Sequence, residues 1–321
     1  MDYLYVLQCI REASPDFVNY IFLFISEVIP KALLVYAAIV FWCVNKSNGA
    51  EILLGYTAAY GINQSIKNIA CVYRPWISDS RLHVAKLAEK SATGYSFPSG
   101  HTVTAASIGG GIAVCLKKIS VAILMIVTII LVAFSRNWLG AHTMQDVLTA
   151  ICVAAVTIII INLLKYYISR NPGKDTVVMF AGIGIAGIMT VILQFKSYPL
   201  DYDAQGKILC EPELMLTDCY TALGLICGGL FGWWLERHTI KFSTEASKKQ
   251  LILRGIIGVA SFGIVYLLSD IIFDALEAWK MTLRNPGHML KSFIVFFYVF
   301  YLYPLMFSSV HNKLNKKREI K

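Results

Sequence analysis

Charged residues are scarce in this 321-residue chain: they make up 15% of it, against about 25% in a typical soluble domain. Hydrophobic residues make up 57%, above the usual ~45–50%. Both deviations point away from a soluble globule and toward a polytopic membrane protein. Alternating ten-residue segments are also absent, which excludes a membrane β-barrel. No basic stretch precedes an apolar core at the N-terminus, which opens Met1–Asp2, so no cleavable signal is expected. There is no internal repeat, no cysteine spacing that fits zinc, and no convincing metal cluster. The eight cysteines form no framework in a chain this long. Cys43, Cys115, Cys152 and Cys227 fall in apolar runs and read as small core residues. Cys210 and Cys219 share one polar stretch and could pair if it faces an oxidising compartment.

What is present is a series of apolar blocks with charges between them. Lipid offers open backbone no hydrogen-bond partner, so each block must be a helix. The blocks run Phe17–Val44, Ala50–Ala70, His101–Leu116, Ile119–Phe134, Thr143–Ile168, Thr176–Phe195, Tyr220–Leu235, Leu251–Phe273 and His288–Phe307. The fold expected is an all-α polytopic membrane helix bundle with about nine transmembrane helices. Pro30 interrupts the first block, where Glu27 and Lys31 stand four residues apart and are expected to pair. Before it, residues 3–12 form an amphipathic segment with Leu4, Leu7 and Ile10 on one face and Gln8, Arg11 and Glu12 on the other. It is expected to lie in the membrane interface. A polar loop from Lys196 to Thr217, with Asp218 beside it, separates the sixth and seventh blocks.

The net charge of +9 suits orientation in a membrane better than a nucleic-acid partner, because the excess sits in short loops and in the tail Lys313–Lys321. With nine spans, Lys46, Lys117, Lys118, Lys165, Arg170, Lys174, Arg237, Lys241, Lys248, Lys249 and the tail share one side, which the positive-inside rule makes cytoplasmic. The loops Cys71–Gly100 and Ser135–His142 then face the other side.

Those two loops carry the chemistry. Lys67 ends the second block and Arg74–Pro75 follow it; Pro98–Ser99–Gly100–His101 open the third; Ser135–Arg136 end the fourth; His142 and Asp146 open the fifth. All fall at one depth on one side. Lys67, Arg74 and Arg136 can surround a tetrahedral dianion, for which the planar fork of arginine is suited. The N–H groups of Gly100 and His101 open a helix, a ready anion site, and Ser99 adds a hydroxyl. His142 and Asp146, four apart on a helix, face each other, so the carboxylate fixes the tautomer and leaves the other ring nitrogen as an activated nucleophile. His101 is the remaining histidine on this face and reads as the general acid. His142 takes the nucleophile's role because it has a carboxylate one helical turn away.

This ordered set resembles the three-part signature of the type 2 phosphatidic acid phosphatase superfamily. That family includes lipid phosphate phosphatases, undecaprenyl-diphosphate phosphatases, glucose-6-phosphatase and vanadium haloperoxidases. The likeness covers about residues 50–150. It implies a six-helix-type catalytic core, a phosphohistidine on His142 held by Asp146, leaving-group protonation by His101, and phosphoryl binding by Lys67, Arg74, Ser99, Gly100 and Arg136. It implies no metal and no cofactor. Residues 1–170 are then a phosphatase-like membrane core, and 171–321 further transmembrane helices of unassigned role with a basic cytoplasmic tail.

The expected partner is a lipid phosphate or diphosphate reached from the bilayer, such as undecaprenyl diphosphate, phosphatidic acid or phosphatidylglycerol phosphate. A sphingoid or soluble sugar phosphate fits less well. The alternatives are phosphotransfer from the same site, and a non-enzymatic transporter or scaffold that kept the fold. Haloperoxidase chemistry would need vanadate in the phosphate site, and the apolar spans argue against it. The expected location is a bacterial plasma membrane, with the site extracytoplasmic.

Overall fold

A computed structural model describes residues 1–89, 91–92, 94–203, 205–279 and 284–308. The basic tail expected to be cytoplasmic lies outside the described residues. Helix α1 spans Asp2–Ala13, α2 Asp16–Glu27, α3 Ile29–Ile39 and α4 Lys46–Ala70. Two single turns follow, α5 (Pro75–Ser78) and α6 (Lys86–Glu89). Then come α7 (Gly100–Leu116), α8 (Ile119–Trp138), α9 (Met144–Arg170) and α10 (Lys174–Gln194). The last three are α11 (Pro212–Leu235), α12 (Lys248–Trp279) and α13 (Arg284–Phe297).

Among the described residues, seven stretches are long and apolar enough to cross a membrane: Asp16–Val44, Ile119–Trp138, Met144–Arg170, Lys174–Gln194, Pro212–Ile240, Lys248–Trp279 and Arg284–Ser308. The molecule is a polytopic helical membrane protein. Two of the nine expected spans, α4 and α7, are outside this set, for different reasons. α7 is apolar but only 17 residues long. α4 has 25 residues, but Asn63, Gln64, Ser65, Lys67 and Asn68 make its second half polar. Both are enclosed by other helices: α4 lies against α3, α7, α9, α10 and α11, and α7 against α3, α4, α8 and α9. A helix largely walled in by helices needs only a narrow outward apolar stripe, which on α4 is the exposed pair Ile62 and Ile69. The outer helices carry most of that burden, with Ile123 and Ile126 on α8, Ile159 and Leu163 on α9, Ile185 and Ile188 on α10, and Ile256 and Leu267 on α12 all exposed.

The C-terminal helices pack onto the N-terminal ones through α11, which lies against α4, α10 and α13, and through α12, which lies against α3. The seam of α11 with α13 is backbone on backbone. A Cβ at Gly224 would stand 2.1 Å from the Met289 carbonyl oxygen, and one at Gly228 2.3 Å from that of Phe293. Small residues spaced by four let membrane helices approach this closely. At the end of the bundle away from the motif loops, ion pairs join neighbouring helices. Lys46 Nζ meets Glu236 at 2.9 Å, Arg237 Nε meets Asp175 at 2.9 Å, and Lys165 pairs with Glu51.

Three expectations need correction. α1 buries part of each expected face: Leu4, Gln8 and Arg11 are buried, while Tyr3, Val6 and Ile10 are exposed. The reason is unpaired backbone nearby. Gln8 Oε1 accepts from His83 N at 2.7 Å, and Arg11 donates to the carbonyls of His83 (2.6 Å) and Trp138 (3.1 Å). The seventh span begins at Pro212, not Tyr220, because proline at the first helical position starts a helix without losing a bond. Asp218 therefore stands within a helix. Cys210 and Cys219 are free and lie in separate clusters, Cys210 with Tyr95 and Met215, and Cys219 with Leu193 and Leu216.

Candidate active site

The loop from Leu139 to Thr143 is folded by its own backbone. Gly140 adopts φ +73°, a conformation glycine takes without steric cost. That turn lets Ala141 N (3.0 Å) and His142 N (3.3 Å) both donate to the Arg136 carbonyl. Asn137 Nδ2 donates to the His142 carbonyl at 2.8 Å. His142 is thus held by its main chain before its ring makes any contact.

Asp146 is placed by a helix cap. Thr143 caps α9, its hydroxyl accepting from Asp146 N at 3.3 Å, and Asp146 Oδ2 accepts from Thr143 N at 2.7 Å. The same oxygen accepts from Ser96 Oγ at 2.5 Å and stands 3.3 Å from His142 Nδ1. The opposite ring nitrogen, Nε2, faces Arg74 Nη1 at 2.9 Å. Arg74 is buried and also donates to the carbonyls of Gly94 and Ala141, each at 2.9 Å. Burial, followed by the charges of Arg74, Arg136 and Lys67, holds the His142 imidazole well below the usual histidine range. It is therefore neutral near pH 7, with the Nε2 lone pair turned toward the cations.

Arg136 is fully buried. Its Nη1 donates to Ser26 Oγ at 2.6 Å and to Glu27 Oε1 at 3.5 Å. Its Nε and Nη2 are buried with no hydrogen-bond partner among the described residues. A buried unpaired donor is costly, and two on one guanidinium form a fork that matches the edge of an oxyanion. Lys67 is also buried and has no ion pair within 4.0 Å among the described residues, though Arg74, Asp218, Arg136 and Asp146 are near enough to act on it. Ser99 caps α7, and its backbone N–H donates to the Asp146 carbonyl at 3.1 Å, which ties the start of α7 to the start of α9. Gly100 and His101 then occupy the first two helical positions, whose N–H groups a helix cannot pair internally. A Cβ at Gly100 would meet nothing within 4 Å, so the space beside its Cα is open.

His101 alters the sequence-based picture. Its Nε2 stands 3.0 Å from Glu27 Oε1. His142 alone has its carboxylate one helical turn away, as expected, but His101 also has one, supplied from another helix. Glu27 does meet Lys31, at 3.7 Å through its other oxygen, as expected. The more intimate contacts are with His101 and Arg136. Glu27, Ser26, Ser96 and Asn137 were all missed as site residues. For Glu27 a signal existed, an acid inside an apolar block. For the others there was none, since serine and asparagine are ordinary at helix ends and in loops.

An apolar groove of about 860 Å³ lies elsewhere, between α4, α9, α10 and α11, lined on α4 by Ile62, Ser65, Ile66 and Ile69. These residues occupy the face of α4 turned away from Lys67.

The PAP2 superfamily profile matches residues 48–170, the segment that supplies every expected site residue. The profile for the PAP2 superfamily phosphatase, transmembrane extension, matches residues 220–317. The chain belongs to the PAP2 superfamily. It is a PAP2 membrane phosphatase with the transmembrane extension, and the family is one of phosphomonoesterases. None of the curated proteins or solved structures compared with this PAP2 phosphatase matches it. In it, α12 and α13 belong to the extension, while Ser26 and Glu27 precede both matched regions.

Proposed function

We propose that this PAP2 phosphatase hydrolyses a phosphate or diphosphate ester on a lipid tail, through a phosphohistidine on His142 and without metal. The observation that carries the reading is the two-sided hold on His142, with Asp146 at Nδ1 and Nε2 turned toward Arg74 beside the unpaired fork of Arg136. The phosphoryl oxygens would take the donors of Lys67, Arg74, Ser99 and Arg136 and the N–H groups of Gly100 and His101. Nε2 attacks phosphorus as the P–O ester bond breaks, and the electron pair goes to the leaving oxygen. His101 gives that oxygen a proton. Water then attacks phosphorus, His101 takes a proton from it, the P–N bond breaks, and phosphate leaves with His142 restored. Preorganised cations and dipoles supply most of the transition-state stabilisation.

The bundle supports a nine-span topology in which α4 and α7 cross inside the ring of outer helices. The interhelical ion pairs of Lys46, Lys165 and Arg237 gather at the end away from the site. Basic residues at that end make it cytoplasmic and the site extracytoplasmic, in a bacterial plasma membrane. The substrates that suit such a site are undecaprenyl diphosphate, phosphatidic acid and phosphatidylglycerol phosphate. On this reading residues 1–170 are the catalytic core and the later helices wall it.

The test is phosphate release from a panel of lipid phosphates by purified protein in EDTA, beside His142→Ala. Release by the wild type and none by the variant is expected; equal activity in the variant removes the mechanism. Loss of wild-type activity on chelation removes the metal-free claim. Transfer to a lipid or sugar hydroxyl would show as a phosphorylated product in place of free phosphate. Cysteines introduced between Lys196 and Glu211 should react with an impermeant reagent outside intact cells, and protection there would invert the topology.

A further inference from the structure

The Glu27 carboxylate enters the site from a helix that the PAP2 profile does not cover. Its Oε1 lies 3.0 Å from His101 Nε2 and 3.5 Å from Arg136 Nη1. The neighbouring Ser26, fully buried, accepts from that same Arg136 nitrogen at 2.6 Å, which pins the end of α2 to the end of α8. Lys31, the partner legible in the sequence, is 77% exposed. A surface lysine is a weak reason to place a carboxylate inside a membrane helix.

We propose that Glu27 is the positioning residue for His101, the counter-charge that orients its ring and keeps its proton available for the leaving group. The inference rests on the phosphatase reading above. A general acid must be protonated when the P–O bond breaks. His101 is largely buried and shares the site with two cations, Arg136 and Lys67, so a proton on its ring needs a counter-charge. Glu27 is the carboxylate in contact with it, and is faced in turn by Arg136, Lys31 and Ser91. The two histidines then divide two carboxylates, with Asp146 serving the nucleophile and Glu27 the acid. Glu27 does not plug the phosphate site. Arg136 Nε and Nη2 remain unpaired, so the carboxylate does not occupy the fork. The proton that His101 gives up returns from the attacking water, and Glu27 is not consumed.

The experiment compares wild type, Glu27→Gln and Glu27→Asp in detergent on two substrates. Dodecyl phosphate leaves as an alkoxide that needs a proton, whereas 4-nitrophenyl phosphate leaves as a stable phenolate. Glu27→Gln should lower kcat/KM, which runs only through departure of the leaving group, by about 10²-fold on dodecyl phosphate, and by at least about tenfold less on 4-nitrophenyl phosphate. The alkaline limb of kcat/KM for dodecyl phosphate should move to lower pH, and Glu27→Asp should recover part of the loss. Equal losses on both substrates would mark a merely structural role and overturn the proposal, as would no loss at all. A second readout needs no turnover: titration of the His101 resonance in ¹³C-histidine-labelled protein, assigned with His101→Gln. Its midpoint should fall in Glu27→Gln, and an unchanged midpoint overturns the proposal. A wild type inactive on both substrates removes the phosphatase reading, while the resonance still decides whether Glu27 holds the charge of His101.

Discussion

Arg74 Nη1 lies 2.9 Å from His142 Nε2, on the side of the ring away from Asp146. The nitrogen proposed to attack phosphorus thus accepts a hydrogen bond from a group proposed to bind the phosphoryl oxygens. An arriving phosphate would draw that donor onto its own oxygens and uncover the lone pair. Asp146→Asn should spoil this by allowing the wrong tautomer, with Nε2 protonated. The expected loss is about 10²–10⁴-fold in kcat with little change in KM, measured as phosphate release from a short-chain phosphatidic acid. A loss confined to KM would contradict a role in orienting the nucleophile.

The pH dependence follows from the cations around His142. Burial and the charges of Arg74, Arg136 and Lys67 disfavour its protonated form. The acid limb of kcat/KM, which reports the free enzyme, should therefore fall below the ordinary histidine value of about 6.5. Arg74→Gln removes one opposing charge, so in that variant the limb should move up toward 6.5. The same shift links to stability. The unfolded chain binds a proton at His142 below about pH 6.5 while the folded one resists, so this contribution is full above that pH and is lost as pH falls toward the folded value. Thermal unfolding of wild type and His142→Gln across that range should show the smaller acid sensitivity in the variant.

Arg136 provides a test of phosphoryl binding. Arg136→Lys keeps a charge but loses the fork that leaves Nε and Nη2 unpaired. Inhibition by inorganic phosphate or vanadate should weaken by about 10–100-fold, equivalent to losing one or two charge-assisted hydrogen bonds. Ser26→Ala should act on the same residue more mildly. It would leave Nη1 of a fully buried guanidinium with only its 3.5 Å contact to Glu27 and cost about 1 kcal/mol of stability, read from thermal unfolding in detergent.

The seam between α11 and α13 should tolerate no side chain. At Gly228 a Cβ would stand 2.3 Å from the Phe293 carbonyl oxygen, and backbone cannot swing aside as a side chain can. Gly228→Ala should destabilise the protein by about 1–3 kcal/mol, and Gly228→Leu by more. Gly184→Ala, where a Cβ meets nothing within 4 Å, is the control and should leave the unfolding temperature near that of wild type.

Much of this molecule is legible along the chain. The scarcity of charge and the apolar block lengths fix a helical membrane protein, because lipid forbids unpaired backbone whatever the packing. The pairing of His142 with Asp146 is legible too, since a separation of four on a helix is a local geometric fact. So is the cap that aims Asp146, from Thr143 three residues earlier. Lys67, Arg74, Ser99, Gly100 and Arg136 could be grouped by topology, as each ends or begins a block on one side.

Other features depend on which surfaces meet. The inward face of α1 was misread because Gln8 and Arg11 find backbone partners in the His83 and Trp138 segments, far along the chain. The enclosure of α4 and α7 could not be seen either, since a polar helix inside a bundle and a short apolar one look alike in failing a span's ordinary pattern. Glu27 shows the division most clearly. Its neighbour in sequence is Lys31, and that pair forms, but the carboxylate oxygen that reaches the site meets His101 and Arg136. Sequence by itself determined the helices, the membrane and the pairing of His142 with Asp146, because these follow from periodicity and local spacing. Only the tertiary structure decided which ring nitrogen of His142 faces the cations and which carboxylate stands beside His101, because those contacts join side chains from helices whose order in the chain says nothing of their adjacency in space.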